Sequence, residues 1–171
     1  MTKPLTALVI GAGDRGDAWA KWAKESDSGI EIKAIAESNT QRRDEYTKKN
    51  NIPQDAAYET GDIALVEHNN YDAVIIATPD KTHRDLAVQA LYYGYNVLLE
   101  KPMATNKQDC RDIVEAQKNS GKVLSIAHVL RYSPFFGFIK ELSSNSSLGK
   151  LKEIDLTEEV GYWHFAHSYV R

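Results

Sequence analysis

Cysteine, methionine and proline are scarce in this chain: one, two and five among 171 residues. With Cys110 alone, an intrachain disulfide is impossible, which suits a reducing, cytoplasmic setting. Cys110 falls in a helical pattern with no nucleophile signature around it, so a structural role is expected. No apolar run approaches the length of a membrane span, and MTKPLTALVIGAG leads into a strand pattern rather than a cleavage site. No membrane partner is therefore expected. Neither sign of charge dominates: 21 Lys and Arg against 24 Asp and Glu leave a net charge of −3. The basic field that would hold nucleic acid is missing. Arg42, Arg43, Lys48 and Lys49 are diluted by Asp44 and Glu45 and read as a solvated helix face. GxxxxGK is absent, as is any Ser-His-Asp or Cys-His constellation, which disfavours nucleoside-triphosphate hydrolysis and nucleophilic catalysis. His164 and His167 have a spacing that some metal sites use, but no convincing third ligand accompanies them, so no metal is expected. Asn145-Ser146-Ser147 fits a glycosylation acceptor, a signal with little meaning where no secretory segment is recognised.

What is present is an ordinary globular composition, 42% hydrophobic and 26% charged, in a length that supports one well-buried core and a fragment more. LTALVI, AVIIAT and NVLLE are nearly continuous apolar runs, the pattern of parallel strands covered on both faces. IEIKAIA and KVLSIAH are two further strands. Helical patterns fall between them: DRGDAWAKWAKES, with Ala18, Trp19, Trp22 and Ala23 spaced to face a core; Thr40–Lys49, closed by Asn50, Asn51 and Pro53; Asp62–His68; Lys81–Tyr93, stopped by Gly94; and Asn106–Asn119, stopped by Gly121. Such alternation predicts βαβ units and a doubly wound parallel sheet, the Rossmann arrangement. After His128 the pattern changes. Ser133-Pro134 starts a helix through FFGFIKEL, SSNSSLGK is a polar loop, and LKEIDLTEEV alternates as a strand. The last residues, GYWHFAHSYVR, are crowded with aromatics. Such a cluster is expected to be covered by an oligomer partner or a further domain.

The most informative segment is Gly11, Ala12, Gly13, Asp14, Arg15, Gly16, between the first strand and the first helix. Gly11 permits the tight turn, Gly13 lets the backbone approach a pyrophosphate, and Gly16 allows close packing of helix on sheet. The pyrophosphate would sit on unpaired N–H groups at the helix N-terminus. Glu37 ends the second strand, 21 residues beyond Gly16, where a carboxylate accepts bonds from ribose hydroxyls. It would repel a 2′-phosphate, which favours NAD over NADP; Arg42 or Arg43 turned toward that phosphate would favour NADP.

Three further segments stand at the carboxyl ends of strands, where ligands bind in open parallel sheets. Thr78 and Pro79 would shape a narrow loop against the nicotinamide half of a cofactor, and His83, at a helix start, is read as structural. Glu100-Lys101-Pro102 offers either a lysine that bonds a substrate hydroxyl and assists its proton loss, or a loop salt bridge held by Pro102. Arg131 either approaches a cofactor or substrate oxygen, or caps a helix or pairs with an acid.

Taken together, GAGDRG, AVIIATPDKTHRDLAVQAL and NVLLEKPMA resemble the Gfo/Idh/MocA oxidoreductases in order and spacing, and the tail from HVLRYSPFF through EEVGYWHFAHSYVR is similar to one branch of that family. The resemblance implies a hydride-transferring enzyme that uses NAD or NADP on sugars, polyols and related carbinols or imines. It implies that Gly11, Gly13, Asp14, Arg15 and Gly16 cradle the pyrophosphate and Glu37 holds the ribose. Thr78, Pro79, His83, Glu100 and Arg131 would be cofactor-binding, and Lys101 would contact nicotinamide and substrate and serve as the catalytic residue. It further implies a C-terminal α/β domain that lines the substrate pocket and supplies an Asp and a catalytic His. Nothing here matches that His, and His164 and His167 precede its motif. The expected organisation is a dinucleotide-binding domain over residues 1–130, then a linker helix and the first strand of a truncated second domain over 131–171. Two alternatives remain on the residues: a non-catalytic dinucleotide-binding sensor or interaction module, and, ranked last, a methyltransferase with a similar glycine turn.

Overall fold

The computed structural model describes residues 3–67, 71–145 and 149–169. The chain forms two compact units, Met1–His128 and Val129–Arg171. In the first, strands β1 (Leu5–Ile10), β2 (Ile30–Ala36), β3 (Ala57–Tyr58), β4 (Ala73–Ile76), β5 (Asn96–Leu99) and β6 (Leu124–Ile126) pair in parallel in the order β3-β2-β1-β4-β5-β6. Helices α1 (Asp14–Glu25), α2 (Thr40–Asn50), α3 (Gly61–Val66), α4 (His83–Tyr92) and α5 (Lys107–Ser120) connect them. The apolar runs are continuous because both sheet faces are covered. Leu8, Ile10, Val74, Ile76, Val97 and Leu99 point to one face with Leu86, Ala90 and Leu91 of α4. Ala7, Val9, Ile35 and Ile75 point to the other with Ala20 of α1 and Tyr46 of α2. The strand order reverses at β1: the chain runs outward to β3, then returns to place β4 on the other side of β1. That reversal opens a crevice beyond the carboxyl ends of β1 and β4.

Side chains close the ends of several helices. Asn39, Thr60 and Asn106 each accept a backbone N–H at the start of α2, α3 and α5. Helix α1 starts instead at Gly13, which has no side chain with which to cap it. Its rotation also differs from expectation. Gly16 and Ala20 are the residues buried against the sheet, with Trp19 packed beside them, while Ala18 is exposed and Trp22 is 44% exposed. Trp22 stands edge-on to Trp19 at 5.9 Å between ring centroids. The smallest side chains turn inward because this helix lies too close to the sheet for large ones. Helix α3 covers Gly61–Val66; His68, placed at its end by the periodicity, lies outside the described residues.

The second unit contains a 3-10 turn at Val129–Tyr132 and two helices, α6 (Pro134–Ser144) and α7 (Tyr162–Tyr169). Pro134 occupies the first turn of α6, where its missing N–H is no loss. The strand expected over residues 151–160 is not formed: the segment is exposed throughout and pairs with nothing in the sheet. An alternating pattern gives a strand only where a ladder partner satisfies its backbone. The aromatic segment that follows is helical over Tyr162–Tyr169. Ser146 and Ser147 of the acceptor sequence and the side chains of His164 and His167 lie outside what is described. Among the described residues no helix is long and apolar enough to cross a membrane.

Thr6 ties β1 to the start of β4: its backbone N–H and its hydroxyl donate to Asp72 Oδ2 at 2.7 and 2.9 Å. These bonds hold the Asp72 carboxyl below its ordinary value of 3.8. A carboxyl depressed in the folded state contributes stability above its unfolded pKa and loses it as pH falls toward the folded value. Asp72→Asn should therefore flatten the acid limb: between about pH 5 and about pH 3 its melting temperature falls less than the wild-type chain's.

Candidate dinucleotide site at the reversal of strand order

Gly11, Gly13 and Gly16 do three different jobs. Gly11 has φ +100°, and a Cβ there would lie 2.5 Å from the Ala77 carbonyl oxygen, so β1 can turn beside β4 only through glycine. A Cβ at Gly16 would overlap the Gly11 carbonyl oxygen, so helix backbone rests directly on turn backbone. Above Gly13, among the described residues, there is nothing within 4 Å of where a Cβ would be. That open face sits where the first-turn amides of α1 lack intrahelical acceptors. Asp14 and Arg15 are both exposed there.

Glu37 ends β2 beside this turn. Its Oε2 accepts the Ala12 N–H at 2.9 Å and its Oε1 accepts the Asn39 N–H at 2.9 Å. The carboxylate is thus oriented by two backbone donors; Oε1 also accepts from the Ser38 hydroxyl at 3.5 Å, while Oε2 keeps acceptor capacity. Arg43 donates through Nη1 to the Glu37 carbonyl oxygen at 2.6 Å. That bond uses one of the five N–H donors of the guanidinium which the sequence left as a candidate for a 2′-phosphate. The Arg42 side chain is exposed. Tyr46 of α2 donates to the Gly16 carbonyl at 3.2 Å, and burial pushes its phenol well above the ordinary range.

The loops after β4 and β5 complete the same end of the sheet. Thr78 is half-buried and accepts from the Thr82 hydroxyl at 2.8 Å, and Pro79 is exposed. His83, expected among the cofactor-lining residues, is 0% exposed and presents no face to a ligand. Its Nδ1 lies 2.7 Å from the Pro102 carbonyl oxygen and its Nε2 3.0 Å from that of Thr78. Glu100 is likewise buried. It is 4% exposed, and Oε1 accepts from Arg15 Nε at 3.0 Å, Arg15 Nη2 at 2.9 Å and Trp19 Nε1 at 2.9 Å. A buried carboxylate needs such donors, and α1 supplies them. Arg15 thus pairs with Glu100 through Nε and Nη2 while its side chain stays half exposed. The salt bridge that Glu100 makes runs to Arg15 at 2.9 Å. Lys101 is exposed, with no side-chain partner among the described residues, and the Lys101–Pro102 peptide is cis. Arg131 is exposed on the 3-10 turn of the second unit.

The structure thus brings the glycine turn, Glu37, Thr78, Pro79 and Lys101 to one end of one sheet. Sequence reasoning missed the Trp19 indole as a donor to Glu100. Arg15 and Trp19 are four apart on one helix, a legible signal, but their acceptor is 81 residues away from Trp19.

A glycine turn onto a helix N-terminus, an oriented acid at the next strand end and an open crevice at the strand-order reversal define a dinucleotide-binding Rossmann domain. The open face above Gly13 leaves room for a pyrophosphate, so the residues present fit such a cofactor. Residues 5–128 match the oxidoreductase family with an NAD-binding Rossmann fold, GFO_IDH_MocA, and the chain belongs to that family. It is 29% identical over 143 residues to Oxidoreductase P35 of Formosa agariphila, covering 84% of this chain and 44% of that protein. It is 29% identical over 142 residues to an inositol 2-dehydrogenase of Rubrobacter xylanophilus, covering 82% of this chain and 40% of that protein. The crystal structure of GenD2 from gentamicin A biosynthesis, in complex with NAD, superposes with a TM-score of 0.76 at 25% identity, covering 85% of this chain and 40% of that one. The chain spans less than half the length of these relatives.

The glycines separate folding from binding. Gly16→Ala should destabilise the chain by about 2 kcal/mol or more, read by thermal or urea unfolding, because backbone meets the new methyl group. Gly13→Val should leave the melting temperature nearly unchanged while weakening NADH binding by about tenfold or more, because only the pyrophosphate approach is filled.

Proposed function

We propose that this chain is the nucleotide-binding part of an oxidoreductase that transfers hydride between a nicotinamide cofactor and a sugar-, polyol- or related hydroxyl-bearing carbon, with NAD preferred over NADP. The observation that carries the reading is the open face above Gly13 beside a Glu37 carboxylate already oriented by two backbone N–H groups. Bound there, the cofactor supplies the hydride acceptor or donor. Gly11, Gly13, Asp14 and Gly16 build the turn and helix start that receive its pyrophosphate. Glu37 keeps acceptor capacity on Oε2 for a ribose hydroxyl and repels a 2′-phosphate, while Arg43 bonds the Glu37 carbonyl. Thr78 and Pro79 flank the nicotinamide side. Lys101, exposed and unpaired, is the group that would hold a substrate hydroxyl and assist its proton loss. The family resemblance gives Arg131 a cofactor- or substrate-binding role.

The inositol 2-dehydrogenase relative supports a sugar-like substrate. Residues 1–130 would act as the cofactor domain and 131–171 as the link to a substrate domain. The exposed Phe135, Phe136, Phe138 and Trp163 are assigned to a surface covered by that domain or by a second copy. A cytoplasmic setting suits the single cysteine. The alternative is a non-catalytic dinucleotide-binding sensor or interaction module.

Titration of the chain with NADH and NADPH, followed by nicotinamide fluorescence and melting temperature, tests the reading. NADH should bind saturably and more tightly, and Glu37→Ala should narrow the preference by about tenfold. A folded chain that binds neither would sink the proposal, and binding without oxidation or reduction of any polyol would favour the module.

A further inference from the structure

We propose that His83 is a positioning residue for Lys101: from a fully buried place it joins the loops after β4 and β5 and so sets where the lysine can reach. The parallel ladder between these strands ends at Ile76 and Leu99, with one last bond from the Glu100 N–H to the Ile76 carbonyl at 2.9 Å. Beyond that point no backbone bond joins the two loops among the described residues. The imidazole of His83 takes over there, Nε2 against Thr78 O at 3.0 Å and Nδ1 against Pro102 O at 2.7 Å. Both nitrogens face carbonyl oxygens, so a neutral ring donates to one of them and a doubly protonated ring to both. At 0% exposure no water competes for the ring.

The tie is matched from the other face of the sheet. Glu100, the residue before Lys101, is held by Arg15 and Trp19 of α1; Pro102, the residue after it, is held by His83 of α4. Lys101 is thus fixed at its backbone on both sides while its side chain stays free. The adenosine end of the crevice, built by Glu37 and the glycine turn on β1 and β2, does not depend on His83. Loss of His83 therefore acts on the nicotinamide end alone, an expectation that rests on the cofactor reading above.

The test compares NADH with ADP-ribose, which lacks the nicotinamide, on the full chain carrying His83→Leu, Lys101→Ala or both, together with amide hydrogen exchange. His83→Leu should weaken NADH by about tenfold with ADP-ribose affinity unchanged. The double variant should bind NADH no more weakly than the weaker single variant, since the two residues act as one unit. Exchange should rise at residues 78–82 and 101–105 and stay slow in β1 and β2. His83→Gln, which keeps an amide donor, should recover part of the affinity, and it carries the same readouts should His83→Leu not fold. Equal losses for both ligands, additive losses in the double variant, or exchange that rises throughout the domain would overturn the proposal. A wild-type chain that binds neither ligand removes the cofactor reading instead; the exchange pattern then decides the tie by itself, and no local rise overturns it.

Discussion

The contact between Gly16 and the carbonyl of Gly11 is the constraint from which the site follows. Two backbones touch there with no side chain between them, which seats the start of α1 on the turn out of β1. Because the helix lies so close, Ala20 faces the sheet and Trp22 is left outside. The same rotation carries Arg15 and Trp19 to the end of β5, where Glu100 receives them. Gly13 is left at the helix start with open space above it. One close approach thus orients the amides, exposes the place for a phosphate and supplies donors to a carboxylate two strands away.

Beyond the strand ends the ladder bonds stop, and buried or half-buried polar side chains continue the work. Glu37 joins the glycine turn to the loop after β2, Glu100 joins the loop after β5 to α1, and His83 joins the loops after β4 and β5. Each satisfies backbone or side-chain groups that would otherwise be costly to leave unpaired. These bonds tie down the backbone at this end of the sheet, while Lys101 has no side-chain partner among the described residues. A preorganised site of this kind meets a cofactor without first having to order its own loops.

Much of this was legible before any coordinates. The apolar runs gave the parallel strands because both faces of a wound sheet are dry, and GAGDRG between strand and helix gave the turn. Glu37 was legible as an acid at the next strand end. The burial of Glu100 and His83 was not legible, because a polar residue at a strand end or helix start looks the same in sequence whether it faces solvent or the interior. LKEIDLTEEV was misread because alternation describes a strand's faces and says nothing of whether a partner edge is present.

Sequence alone determined the periodicities, the places where only glycine can turn or pack, and the order of acid, lysine and proline after β5, since these are local properties of the chain. Tertiary structure decided the partners. Arg15 and Trp19 meet Glu100, and His83 meets Thr78 and Pro102, across separations of up to 85 residues. Such pairings arise from the close seating of α1 and α4 on a shared sheet, a matter of distances in space that no local pattern encodes.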